Sequence, residues 1–269
     1  MIVPATEQEV QAQVERLAGL AERPLSDYSS GTYTAPAEPF IAHTIAALRA
    51  LPPVSWLIDR VLVAVAFVVL YGASGVGKTF AALDFALTVA SGSPWHGHTV
   101  AGGWVLYISA EGSAGLTKRI DAWCEARDQS EPERIRFVTD APNLLDPEHV
   151  QRALATIAAM PETPVLIVVD TMARTMVGGD ENSARDVGQF IHALDCLRQA
   201  ADGATALVIH HTGKRGDDER GSSSLRGAAD QMLALTGDID GTLQLAFDKL
   251  KDFEAPNPLK EVVRKLVEL

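Results

Sequence analysis

From Pro52 onward, continuous apolar runs alternate with amphipathic stretches. "VAFVVLY" precedes a Gly-rich loop and a predicted helix over "KTFAALDFALTVASG"; "GGWVLYIS" precedes a helix through Cys124 and Arg127. "RIRFVT" precedes a helix near "PEHVQRALATIAAM", "PVLIVVD" precedes a loop and the helix "ARDVGQFIHALDCLRQAA", and "ATALVIHH" follows. Strands that are apolar throughout are buried on both faces, so the alternation predicts a mostly parallel, twisted sheet flanked by helices. The ten residues Val61 to Leu70 read as one buried strand; they are about half the length of a membrane-spanning helix. After Gly227 the pattern changes to "QMLALTG" and "TLQLAFDKLKD" joined by "DIDG", a hairpin signal that adds antiparallel strands at the C-terminal end.

The first fifty residues differ. Thr6 and Glu9 form a capping box ahead of Val10, Val14, Leu17 and Leu20 at helical spacing. Pro24 to Phe40 is rich in Pro, Ser and Gly and reads as a linker, and Ile41 to Ala50 is again helical, stopped by Pro52 and Pro53. The expected organisation is a helical extension and linker over 1–51 and one α/β core over 52–269, a length that suits one large domain with an appendage.

The formal charge of −12 argues against a basic face gripping nucleic acid over the whole surface, so the placement of the few cations matters more than their total. No leader pattern opens the chain, and Cys124 and Cys196 lie far apart with no CxxC partner, which leads us to expect a cytoplasmic protein with reduced thiols and no membrane partner. His96 and His98 lack a neighbouring Cys or acid to complete a metal site, and Trp95 and Trp104 read as packing residues.

Candidate chemistry begins with "GASGVGKT". Gly72, Gly77, Lys78 and Thr79 satisfy G-x-x-x-x-G-K-[ST], with a strand before and a helix after. A cradle running through Gly72, Ala73, Ser74, Gly75, Val76, Gly77, Lys78, Thr79 and Phe80 would turn backbone N–H groups and a helix N-terminus toward the phosphates of ATP. Lys78 would reach the β- and γ-phosphates and Thr79 would ligate Mg²⁺. Asp170 ends "PVLIVVD" at the sheet edge where α/β proteins place ligands, and is a second Mg²⁺ candidate. Glu111 follows "WVLYIS" and could orient and deprotonate water; a helix-capping role is the alternative. His210 and His211 end "ALVIHH", and His211 is the candidate sensor of the γ-phosphate. Lys214, Arg215, Arg220 and Arg226 sit in a Gly- and Ser-rich loop, and Arg174 in the loop after Asp170; all are candidate contacts to nucleic-acid phosphates.

"GASGVGKT", "YISAEG", "LIVVDT", "LVIHHTGK" and "RGSSSLRGAAD" together resemble the RecA-like ATPases of the plasmid RepA and DnaB-type replicative helicase group. The resemblance covers roughly Pro52 to Asp252. It implies a RecA-like core in a homo-oligomeric ring, usually a hexamer, with ATP between subunits, Glu111 as catalytic glutamate and His211 as sensor. It also implies that the loops after Asp170 and His211 face single-stranded DNA. Lys249 and Lys251 in "DKLKD" stand where that group has a Lys-x-Arg pair reaching the neighbour's γ-phosphate, with Lys251 in place of the Arg. The expected function is a DNA-translocating or unwinding ATPase. The rivals are a recombination or annealing accessory that coats single strands, and a nucleotide-switched loader.

Overall fold

A computed structural model describes residues 42–50, 53, 55–110, 115–211, 223–237, 243–251 and 261–263. The apolar runs become the strands of an eight-stranded sheet: β3 (Phe67–Gly72), β4 (Trp104–Ser109), β5 (Ile135–Val138), β6 (Pro164–Asp170), β7 (Thr205–His211), β8 (Gln231–Gly237), β9 (Leu243–Leu250) and β10 (Glu261–Val263). Their spatial order is β10-β9-β8-β3-β7-β6-β4-β5. The pairings from β8 through β3 to β5 are parallel, whereas β9 and β10 are antiparallel additions. This is the α/β architecture that the alternation predicts.

Helices cover both faces because successive side chains of a strand point to opposite sides. Val68 and Leu70 meet α2 (Lys78–Ser91) and α3 (Leu116–Arg127) on one face, while Phe67 and Val69 meet α4 (Pro147–Ala158) and α6 (Ala184–Ala200) on the other. Asp146 and Ser183 cap α4 and α6 with their side chains, as short polar residues do at helix starts. Three short helices complete the described helices: α1 (Ile45–Arg49), α5 (Met172–Thr175) and α7 (Ser223–Ala228). Both α5 and α7 lie in stretches that read as loops, being too short to show a period. The amphipathic helix after Thr6, the linker and the Asp-Gly turn lie outside the described residues. No described helix is long and apolar enough to cross a membrane.

One expectation is corrected. Val61 to Leu70 is not a single strand: β2 (Leu62–Val63) pairs with β1 (Trp56–Ile58) in a small antiparallel hairpin, and the chain turns before β3 begins. Val65, at the turn, has φ 55° and is 64% exposed. Polar side chains from elsewhere explain the break. Gln231 donates to Val61 O at 2.8 Å and accepts from Val63 N at 3.1 Å, Thr205 donates to Val63 O at 3.0 Å, and Arg198 to Val65 O at 3.0 Å. They take backbone groups that a continuing ladder would have used. At the far edge, the Arg136 guanidinium lies over Trp104 and donates to Glu133 O at 2.9 Å and Ile135 O at 2.8 Å, covering one carbonyl just before β5 and one at its start.

Asp84, inside the apolar helix α2, has 1% exposure. Trp95 Nε1 donates to it at 2.7 Å, Trp123 Nε1 at 2.8 Å and Arg127 Nη2 at 2.7 Å, while His96 Nε2 stands at 3.8 Å, an ion-pair rather than a hydrogen-bond distance. The carboxylate thereby ties α2 to α3 and to the turn at Trp95–His98. Trp95 and His98 are bridged through their backbones, and no group of three or more His, Cys, Asp and Glu able to hold a metal occurs among the described residues. Burial alone would raise the Asp84 pKa; His96, the Arg127 charge and the two indoles more than offset it and hold it below the usual value. Cys124 and Cys196 are free and half-buried, with burial raising both thiols, so neither is an activated thiolate.

A folded pKa below the unfolded one gives stability that is full above the unfolded value, about 4, and lost as pH falls through the folded one. Asp84→Asn should therefore flatten the acid limb of stability measured by urea unfolding across pH. Asp84→Ala, which strands Arg127 and two indoles, should cost about 3–5 kcal/mol at neutral pH.

Candidate functional site

The C-terminal ends of β3, β4, β6 and β7 converge on one edge of the sheet. In the pairing register Gly72 stands beside His211, Ser109 beside Asp170 and Val169 beside Val208. The loop from Ala73 to Gly77 leaves β3 there and enters α2. Two of its glycines need left-handed backbone, Gly75 at φ 79° and Gly77 at φ 104°. Gly72 is required for a different reason: a Cβ on it would lie 2.3 Å from Leu235 O of β8. Gly77 caps α2 without a side-chain bond, so the first N–H groups of the helix keep their donors for a ligand.

Lys78 is 4% exposed, and its ammonium donates to Gly72 O at 2.9 Å and Ala73 O at 2.8 Å, folded back onto the loop. Thr79 Oγ1 donates to Asp170 Oδ1 at 3.3 Å, and Tyr107 Oη donates to Asp170 Oδ2 at 2.8 Å. Asp170 itself has no exposure. Burial first, then the charge and hydrogen bond of Asp170, push the Tyr107 hydroxyl well above the ordinary phenol range and keep it a donor. A hydroxyl and a carboxylate oxygen side by side are hard oxygen donors of the kind Mg²⁺ takes, so Thr79 and Asp170 fit the ion. Ala110 N donates to Asp170 O at 2.7 Å, which fixes where the chain leaves β4 toward residue 111. Glu111 lies outside the described residues. Of the two histidines, His210 is buried at 1% exposure, whereas His211 is half-buried at the strand end.

The candidate cations differ in how they are held. Arg174, on α5, is exposed. Arg226, on α7, forms an ion pair through both Nη atoms with Asp248 of β9, holding that carboxyl below its usual value. Lys214, Arg215 and Arg220 lie outside the described residues. Lys249 donates to Arg226 O at 2.6 Å, Gly227 O at 3.2 Å and Ala229 O at 2.6 Å, closing the end of α7. Lys251 follows β9, with its side chain 59% exposed and its Nζ 3.7 Å from Asp230.

The AAA domain family profile matches residues 34–217, well over half of the chain. The chain belongs to the AAA domain family. No curated protein matches it. The AAA domain identifies a nucleotide-hydrolysing P-loop ATPase, and the matched segment carries the loop, Asp170 and both histidines but ends before β8 and β9. Sequence reasoning about this AAA domain missed Tyr107, concealed in an apolar strand run, and Asp84, whose only signal was an acid among the nine apolar residues of α2.

Gly72→Ala should force the loop away from β8. The expected result is a loss of about 1–3 kcal/mol in thermal or urea unfolding, together with weakened nucleotide binding in a titration.

Proposed function

We propose that this AAA domain is a Mg²⁺-dependent ATPase of the RepA and DnaB-type helicase group, working as a ring that moves on or unwinds DNA. The observation that carries the reading is the meeting of Thr79, Tyr107 and Asp170 beside a phosphate loop whose lysine is already buried and aimed within it. In this reading the extension 1–51 precedes the core and the ring is homo-oligomeric.

The roles divide among strand ends. Backbone N–H groups of Gly72 to Phe80 bind the phosphates, and Lys78 exchanges its loop carbonyls for β- and γ-oxygens. Thr79 and Asp170 hold the metal, with Tyr107 fixing the Asp170 carboxylate. Mg²⁺, when bound, neutralises charge between the β- and γ-phosphates. Glu111 takes a proton from water as the water oxygen bonds to the γ-phosphorus and the bond to the bridging oxygen breaks; the proton leaves with the inorganic phosphate. His211, adjoining Gly72 in the register, hydrogen-bonds the γ-phosphate and relays its loss into β7.

Support for a ring comes from Lys251, exposed and only loosely held by Asp230, which is suited to a neighbour's nucleotide. Lys249, bound to three carbonyls of its own chain, then serves to seat that strand rather than to reach across. Arg174 and the cations of 214–226 supply the phosphate contacts to single-stranded DNA, with Arg226 having to leave Asp248 to do so.

Lys78→Ala should abolish ATP turnover in a phosphate-release assay, and chelation of Mg²⁺ should do the same reversibly. Glu111→Gln should retain bound ATP without hydrolysing it; loss of nucleotide affinity instead would assign Glu111 a structural role. ATP-driven displacement of a strand from a tailed duplex is the expected activity. Strand binding without displacement would favour the annealing accessory, and slow hydrolysis indifferent to DNA the loader.

A further inference from the structure

Arg119 sits in the first turn of α3, on the side of the sheet occupied by the phosphate-loop helix α2. Its Cζ lies 5.1 Å over the centroid of the Phe80 ring, and Phe80 directly follows Thr79. The guanidinium folds back over the start of its own helix, so that a Cβ on Gly115 would lie 3.7 Å from both Cζ and Nη2. The side chain is half-buried, and among the described residues none of its N–H donors is used in a hydrogen bond or ion pair.

Stacking on an aromatic face fixes the plane of a guanidinium while leaving the donors around its rim open. Bidentate recognition of a phosphate uses those rim donors. Here the plane is set by Phe80, the residue next to Thr79. Lys78 approaches the same edge of the sheet from the loop.

We infer that Arg119 is the subunit's own guanidinium for the terminal phosphate of a bound nucleoside triphosphate, held ready by Phe80. The inference rests on the proposed phosphate-loop site and adds to it a group from the same chain, independent of Lys251 from a neighbour. A guanidinium there meets the charge that spreads over the γ-oxygens as the bond to the bridging oxygen breaks, and it has no phosphate to meet in the ADP complex.

The test uses the full chain with ATP and ADP. R119A should lower kcat roughly 100-fold or more, the scale of losing one transition-state donor or an arginine finger. Its ADP affinity should stay within about twofold, and trapping of ADP with aluminium fluoride should be lost. R119K, which keeps charge but not the fork, should fall between R119A and the unaltered chain, and F80L should lower kcat with ADP affinity unchanged. Unchanged kcat in R119A, or equal losses of ATP and ADP affinity, would overturn the assignment. If R119A does not fold, R119K and F80L decide: a drop in kcat alone in either supports it, and full turnover in both overturns it. K78A separates the two levels. Turnover in K78A sinks the phosphate-loop reading itself, whereas an inactive K78A beside fully active Arg119 variants sinks only the role of Arg119.

Discussion

A carboxylate with no contact to solvent is costly unless donors surround it, and Asp170 is placed where donors from two other elements arrive. Thr79 comes from α2 and Tyr107 from β4, so the phosphate loop, the central helix and the neighbouring strand share a single polar joint. Moving any of the three would remove a donor from a fully buried carboxylate. The site's geometry is therefore set by the same requirement that lets the sheet close over it. Its rigidity on the far side comes from Asp84, where α2 is tied again to α3.

The two carboxylates act on different turns of one helix. α2 is gripped at its N-terminal turn through Thr79 and at its second turn through Asp84, and Arg119 and Phe80 add a contact to α3 near the loop. A helix held at these points has little freedom to shift against the sheet or against α3. The acidic net charge is compatible with that arrangement because several cations are already committed, Arg226 to Asp248 and Arg127 to Asp84.

What was legible in the sequence was what is local. The phosphate loop is eight contiguous residues, and parallel strands announce themselves as unbroken apolar runs, so the architecture and the strand-terminal Asp170 and His211 could be read directly. What was not legible depends on partners far along the chain. Val61 to Leu70 looks continuous until Gln231, about 170 positions away, takes its backbone groups. Asp84 looks misplaced in an apolar helix until Trp95, Trp123 and Arg127, separated from it by 11, 39 and 43 positions, supply its donors. Tyr107 looks like one more strand residue because its ring is apolar and only its oxygen matters.

The free edge at β5 bears on how copies of this chain can meet. Strand edges with open carbonyls invite a neighbouring chain to extend the sheet, often without limit. Arg136 already occupies Glu133 O and Ile135 O from its stack on Trp104. A continuous backbone ladder through this edge is thereby discouraged, which leaves side-chain contacts as the way two copies could meet there. Such contacts can close on a fixed number of partners, where a ladder would go on adding them.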